Sequence, residues 1–214
     1  MRILLLIFLL VGCSGYRFTQ QENPLSQYGI QSLSVPMFYN YSNLPDVSAD
    51  FTRETYSLLM GFSGLKLRSG YHPETDAVMI CIIKSPEKLA DTLKRGSSRV
   101  ANQVAPKAVG TGREKFYIPG TTIMNLSIQV IVIKKPTEEE LALLKSGIGD
   151  QVKLTSRVIF NENIPLNSQY TREILDEKGV QVVATQNAGV QRKTLEALSK
   201  QAAIQVRDMI LYAF

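Results

Sequence analysis

The chain has 214 residues, a formal charge of +5 from 24 bases and 19 acids, and 44% hydrophobic residues. The hydrophobic share excludes a disordered chain, and the length suits one domain with an adequate core. The charge excess is modest; it permits contact with an anionic partner without demanding it.

The first residues set the compartment. Arg2 supplies a positive charge, Ile3 to Val11 form an unbroken apolar run, and Gly12 precedes Cys13. This is a charged n-region, an apolar h-region and a small-residue cleavage site. A run of about nine residues falls far short of the roughly twenty that span a bilayer. Leu10-Val11-Gly12-Cys13 resembles the bacterial lipobox. The resemblance implies a signal peptide over residues 1–12, cleavage after Gly12, a diacylglycerol on the Cys13 sulfur and an acyl group on the new amine. One acyl chain anchors only marginally, at about 0.8 kcal/mol per buried methylene, so three chains make a lasting anchor. Ser14, rather than Asp, follows the cysteine. By resemblance to the enterobacterial sorting rule this favours the outer membrane. Cys81 is then the lone thiol, inside the apolar run Ala77 to Ile83, and no intramolecular disulfide is expected.

Residues 13–28 read as a lipidated tether, polar and without a sustained period, and residues 29–214 as a single domain. Gly29 to Val35 alternates as a half-buried strand that Pro36 ends. Ser48 or Asp50 can cap a helix carrying Phe51, Thr55, Leu58, Leu59 and Phe62, closed by Gly61 and Gly64. Leu65 to Ser69 and Asp76 to Lys84 are strands, separated by a turn that holds His72. Ser85 to Lys115 is the least periodic stretch, and Gly96 to Gly112 reads as a polar insertion. Thr121 to Lys134 is a long strand stopped by Pro136. Thr137 to Ser146 is a short helix whose acids, Glu138 to Glu140, suit its N-terminal dipole. Gln151 to Asn161 is a strand and a loop follows through Pro165. Between Ser168 and Thr185 the pattern is ambiguous: Thr171 to Lys178 can be helical and Val180 to Ala184 extended. Gly189 to Phe214 is a long amphipathic helix stepping through Leu195, Leu198, Ala202, Val206, Met209 and Ala213. This order predicts an α+β two-layer sandwich: a mostly antiparallel sheet of four to five strands, with the first helix and the long C-terminal helix on one face.

Little in the chain carries chemistry. His72 stands alone in a polar turn, with no second His and no Cys-x-x-Cys beside it, so neither a metal site nor a Ser-His pair is expected. Gly110-Thr111-Gly112 lacks the Gly-Lys-Ser/Thr of a phosphate loop. No carboxylate pair is identifiable by spacing, and no catalytic residue or cofactor is nominated beyond the lipid on Cys13. The bases Lys66, Arg68, Lys134 and Lys135 read either as contacts for lipid head-group phosphates or as solvated strand charges. Bases interleaved with aromatics, as nucleic acid requires, are lacking.

Gly15-Tyr16-Arg17-Phe18 just after the cysteine, then Ile30-Gln31-Ser32-Leu33-Ser34-Val35-Pro36-Met37-Phe38-Tyr39-Asn40, resembles the start of the LptE family of lipopolysaccharide-assembly lipoproteins. Phe51-Thr52 resembles that family's helix start, Asp76-Ala77-Val78 a strand start, and the terminal helix its closing helix. The resemblance covers the first 85 residues and the last helix best. Ser14 intervenes between the cysteine and Gly15, and the 85–121 segment is longer than the family pattern. The resemblance implies a lipid-anchored protein on the periplasmic face of the outer membrane. It would plug the lumen of an LptD-type β-barrel, assist its assembly and contact lipopolysaccharide. Alternatives are a scaffold lipoprotein of another envelope machine, such as a secretin pilot or a lipid-transporter auxiliary lipoprotein, and an anchored periplasmic hydrolase.

Overall fold

Alternating stretches of the chain become strands, and their side chains divide between the two faces of one sheet. The structure, a computed structural model, describes residues 21–100, 116–145, 157–172 and 180–212; among these, the side chains of 97–100, 116–119, 144–145 and 180–183 are left undescribed. The expected signal peptide, Cys13, most of the Gly96 to Gly112 insertion and residues 151–156 of the expected strand lie outside the described residues.

The strands are β1 (Gln21–Glu22), β2 (Ser32–Val35), β3 (Tyr39–Tyr41), β4 (Phe62–Ser63), β5 (Lys66–Ser69), β6 (Ala77–Lys84), β7 (Leu93–Val100), β8 (Phe116–Lys134) and β9 (Val158–Thr171). The helices are α1 (Val47–Leu59), α2 (Leu89–Thr92), α3 (Glu138–Lys145) and α4 (Val180–Tyr212). The main sheet runs β5-β2-β6-β8-β7, with β3 also paired to β6 and β9 to β8; β1 and β4 form a separate parallel pair.

The sheet is mixed, which corrects the expectation of a mostly antiparallel one. β6, β7 and β9 each run antiparallel to β8, but β2 is parallel to both β5 and β6, and β3 is parallel to β6. Two connections cause this. α1 carries the chain over one face, so that β5 lies parallel beside β2. The chain then returns beneath the opposite face of β2, between Gly70 and Asp76, and starts β6 in the direction of β2. Side chains hold that return. The Ser34 hydroxyl lies 2.8 Å from that of Thr75 and accepts from the His72 amide at 3.1 Å. One Asp76 carboxylate oxygen accepts from the Gln31 amide, the Ser32 amide and the Ser32 hydroxyl at 3.0, 2.9 and 2.8 Å. Alternation along a strand reports which face a residue takes, not which way its neighbour runs.

One face of the sheet packs Leu33, Met79, Cys81, Leu126, Ile128 and Val130 against Phe51 and Leu59 of α1 and Leu198, Ala202 and Val206 of α4. The other face carries a smaller buried cluster of Val78, Ile80, Ile82, Ile131 and Ile133, joined by Leu141 of α3. The centre of β6 is therefore buried on both faces. Each such side chain contributes roughly 1.5–3 kcal/mol by leaving water.

Several elements differ from their sequence patterns. Residues 21–28, expected within the tether, belong to the domain: a 3-10 turn at Pro24–Tyr28 buries Leu25, and Asn23 caps it while donating to the Ile30 carbonyl at 2.8 Å. β9 continues through Pro165, which sits opposite Ser127, instead of ending in a loop. Proline is tolerated on an edge strand because its missing N–H can face outward. Residues 180–184, expected to be extended, are instead helical from the start of α4, because the closing helix begins nine residues before Gly189; residues 173–178 of the candidate helix before them lie outside the described residues. The base of the expected insertion is β7, paired with β8 across a register shift between Gly96 and Ser98.

Candidate functional site

The four nominated bases do not form one surface. The register of β5 on β2 sets Lys66 and Arg68 beside Ser32 and Ser34, on the face away from α1 and α4. Lys134 lies opposite Ala77, a residue of the helix-side core. Its ammonium donates to the Tyr28 carbonyl at 2.8 Å and so ties the end of β8 to the 3-10 turn. Arg68 pairs with Glu74 at 3.1 Å. Lys135 takes a positive φ of 43° and its amide donates to the Asp76 carbonyl; the acids Glu138 and Glu139 of α3 follow directly. Arg68 thus has an acidic partner and Lys134 a carbonyl, and Lys134 lies on the opposite face of the sheet from Lys66 and Arg68.

His72 is also engaged structurally. Its Nε2 lies 3.0 Å from the Ser69 carbonyl and its Nδ1 3.4 Å from Glu74. The Glu74 carboxyl is held below its usual range by a backbone hydrogen bond at Glu74, then by His72 and Arg68. Among the described residues no three of His, Cys, Asp and Glu converge as metal ligands, and no helix is long and apolar enough to cross a membrane.

A different place combines apolar and basic groups. A hollow of about 450 Å³ is lined by Leu89 and Ala90 of α2 and by Leu93, Lys94 and Arg95 of β7. Leu89 opens α2 and Leu93, just past its end, opens β7, so the two flank the junction between the elements. Leu93 pairs with Met124 and is half-buried against the core, whereas Lys94 pairs with Ile123 and points to the other face. Leu89 is 52% exposed. The hollow joins exposed apolar side chains to two cations that the strand sets on opposite faces, Arg95 on the side of Leu93 and Lys94 on the other; a cation beside apolar surface fits an amphiphile with an anionic head. Arg95 brings a planar fork of donors and Lys94 a compact charge.

The sequence that follows these two cations is rich in bases. Between Leu93 and Gly120 stand six bases (Lys94, Arg95, Arg99, Lys107, Arg113, Lys115) against Glu114, a formal +5 equal to that of the whole chain. Read along the chain the bases look dispersed, yet this one stretch accounts for the net excess.

The hollow lies far from the chain's entry. β1 pairs with β4 near the 3-10 turn that Lys134 braces. Met124, opposite Leu93, is ten residues along β8 from Lys134, or about 33 Å at strand rise. By sequence Lys94 and Arg95 are two bases beside a polar, aperiodic stretch. The signal available was the Leu89, Leu93 spacing running directly into them.

No family model and no curated protein sequence matches this chain. Solved structures do resemble it. A Caulobacter crescentus CB15 protein assigned as a lipoprotein aligns over 82% of this chain and 89% of its own, at 7% identity and a TM-score of 0.40. Rare lipoprotein B of Shewanella oneidensis aligns over 85% of this chain and 92% of its own, at 11% identity and a TM-score of 0.36. Lipoprotein GNA1162 of Neisseria meningitidis aligns over 76% of this chain and 96% of its own, at 10% identity and a TM-score of 0.35.

Proposed function

We propose that the chain is a lipoprotein, lipidated on Cys13 and held on the periplasmic face of the outer membrane. Its role is non-catalytic: like the LptE family it resembles, it plugs and helps assemble an LptD-type β-barrel that delivers lipopolysaccharide to the cell surface. The observation that carries the reading is the hollow at Leu89, Leu93, Lys94 and Arg95, far along β8 from the end where the tether enters. Acyl chains on Cys13 hold one end at the inner leaflet, while the apolar side chains and cations of the hollow meet the acyl and phosphate parts of a glycolipid at the other. A barrel lumen is polar inside, which suits the Asn-, Gln- and Thr-rich residues of β9 that face away from the core, such as Asn163, Asn167, Gln169 and Thr171.

The test is affinity purification of full-length tagged protein from outer membranes. Recovery of a large β-barrel in equal amount supports the reading; recovery of a secretin ring or an inner-membrane transporter overturns it in favour of another scaffold role. In the same preparation, Lys94→Glu with Arg95→Glu lowers co-purifying lipopolysaccharide by about tenfold or more, because a hydrogen bond to a charged group is worth roughly 1.5–3 kcal/mol. Unchanged lipopolysaccharide with the barrel still bound removes the hollow from the function.

A further inference from the structure

The entry point of the chain also constrains how the domain meets the bilayer. Gln21 and Glu22 pair with Phe62 and Ser63 of β4, just after α1 ends at Leu59. From Cys13 to Gln21 the backbone makes eight steps, a reach of about 29 Å at most. On the lipidation reading given above, on which this inference rests, that corner of the domain stays within this distance of the membrane.

An apolar groove of about 440 Å³ runs along α1 beside the edge strand β5, and its Met60 end lies at that corner. Met37, Tyr56 and Met60 supply its apolar lining, with Thr52, Arg53 and Ser69 among its other residues. Met60 is two residues before Phe62, the partner of Gln21. The methionines are 63% and 59% exposed, and because both line one groove with Tyr56 they form a shared apolar surface instead of single exposed side chains. Their flexible thioethers adapt to irregular apolar surroundings. The charges nearby are matched: Arg53 pairs with Asp50 and Glu54, and Arg68 with Glu74. Such a surface selects for an apolar boundary and not for anionic lipid.

We propose that the Met37 and Met60 groove lies against the bilayer that holds Cys13, with both methionines among the head groups and upper acyl chains. The contact fixes one orientation of the domain and turns the β7 hollow away from the anchoring leaflet.

The test uses full-length lipidated protein carrying Met60→Cys with a polarity-sensitive dye, on phosphatidylcholine vesicles. Buried Cys81 does not compete for the label, and Thr171→Cys at the far end of β9 is the control. Flotation is read first. Protein that fails to float with vesicles lacks the anchor and overturns the lipidation reading, and this inference with it. For floating protein, the expected result is a blue shift at position 60 and quenching by nitroxide lipids several-fold stronger than at position 171. It persists in about 1 M salt, where the screening length is only about 3 Å. Equal quenching at both positions, or none at 60, overturns the orientation. Amide exchange of unlabelled protein provides the check against dye artefacts: residues 56–63 exchange more slowly on vesicles than in detergent, and equal rates refute the contact.

Discussion

Asp76→Asn tests the return that makes β6 parallel to β2. In the native chain one carboxylate oxygen accepts three hydrogen bonds, from the Gln31 amide and from the amide and hydroxyl of Ser32, all within 3.0 Å. The Ser32 hydroxyl, then the Gln31 amide, hold the carboxyl below its usual range. Asn keeps the shape and an accepting oxygen but removes the charge. A hydrogen bond to a charged group contributes roughly 1.5–3 kcal/mol and a neutral one roughly 0.5–1.5. The site is partly exposed, so solvent screening reduces the difference. The net expectation is a loss of about 1–3 kcal/mol at neutral pH. For a domain of this size each kcal/mol lowers Tm by roughly 2–4 °C. The sign with pH follows from the depressed folded value. Stability from Asp76 is complete above the unfolded value of about 4 and disappears as pH falls through the lower folded value. Thermal melts of wild type and variant should therefore differ by a constant amount above about pH 5 and converge below about pH 4. Equal Tm at pH 7, or a gap that persists unchanged into acid, refutes this account of the return.

Two further expectations follow from packing. A Cβ on Gly96 would stand 2.5 Å from the Thr121 Oγ1, so Gly96→Ala should cost about 1–3 kcal/mol and loosen the β7 side of the hollow. The next atom, the Thr121 Cβ, is at 3.8 Å, so adding Thr121→Ala should restore most of the loss; a double variant no more stable than Gly96→Ala, by urea unfolding, sinks the steric explanation. Burial pushes the Cys81 thiol up in pKa, so a thiol reagent should modify Cys81 only at the rate of unfolding, rising in step with denaturant; rapid modification of the native protein contradicts its place in the core.

The hollow was only partly legible beforehand. Its bases are plain in the sequence but look dispersed there, α2 and β7 are short and lack a sustained period, and the register shift after Gly96 interrupts the alternation. Nothing in the local pattern says that Leu93 turns inward at Met124 while Lys94 turns outward; the pairing with β8 decides it. Lys134 shows the converse. By sequence it is a spare cation at a strand end, and only the fold brings the Tyr28 carbonyl to it across 106 positions.

What the chain by itself determined is what short-range chemistry encodes. The apolar run before Cys13 and the lipobox-like tetrad are local patterns. The alternating strands and the long closing helix follow from periods of two and of about 3.6, set by side-chain geometry along each element. Residues such as Val78 and Met79 sort to opposite sides of β6 for the same reason. The tertiary structure alone decided strand direction, the continuation of β9 through Pro165, the inclusion of residues 21–28 in the domain and the company each base keeps. Those depend on contacts between residues distant in sequence, such as Asp76 with Ser32 and Thr52 with Phe38, whose free energy is realised only once the chain has closed upon itself.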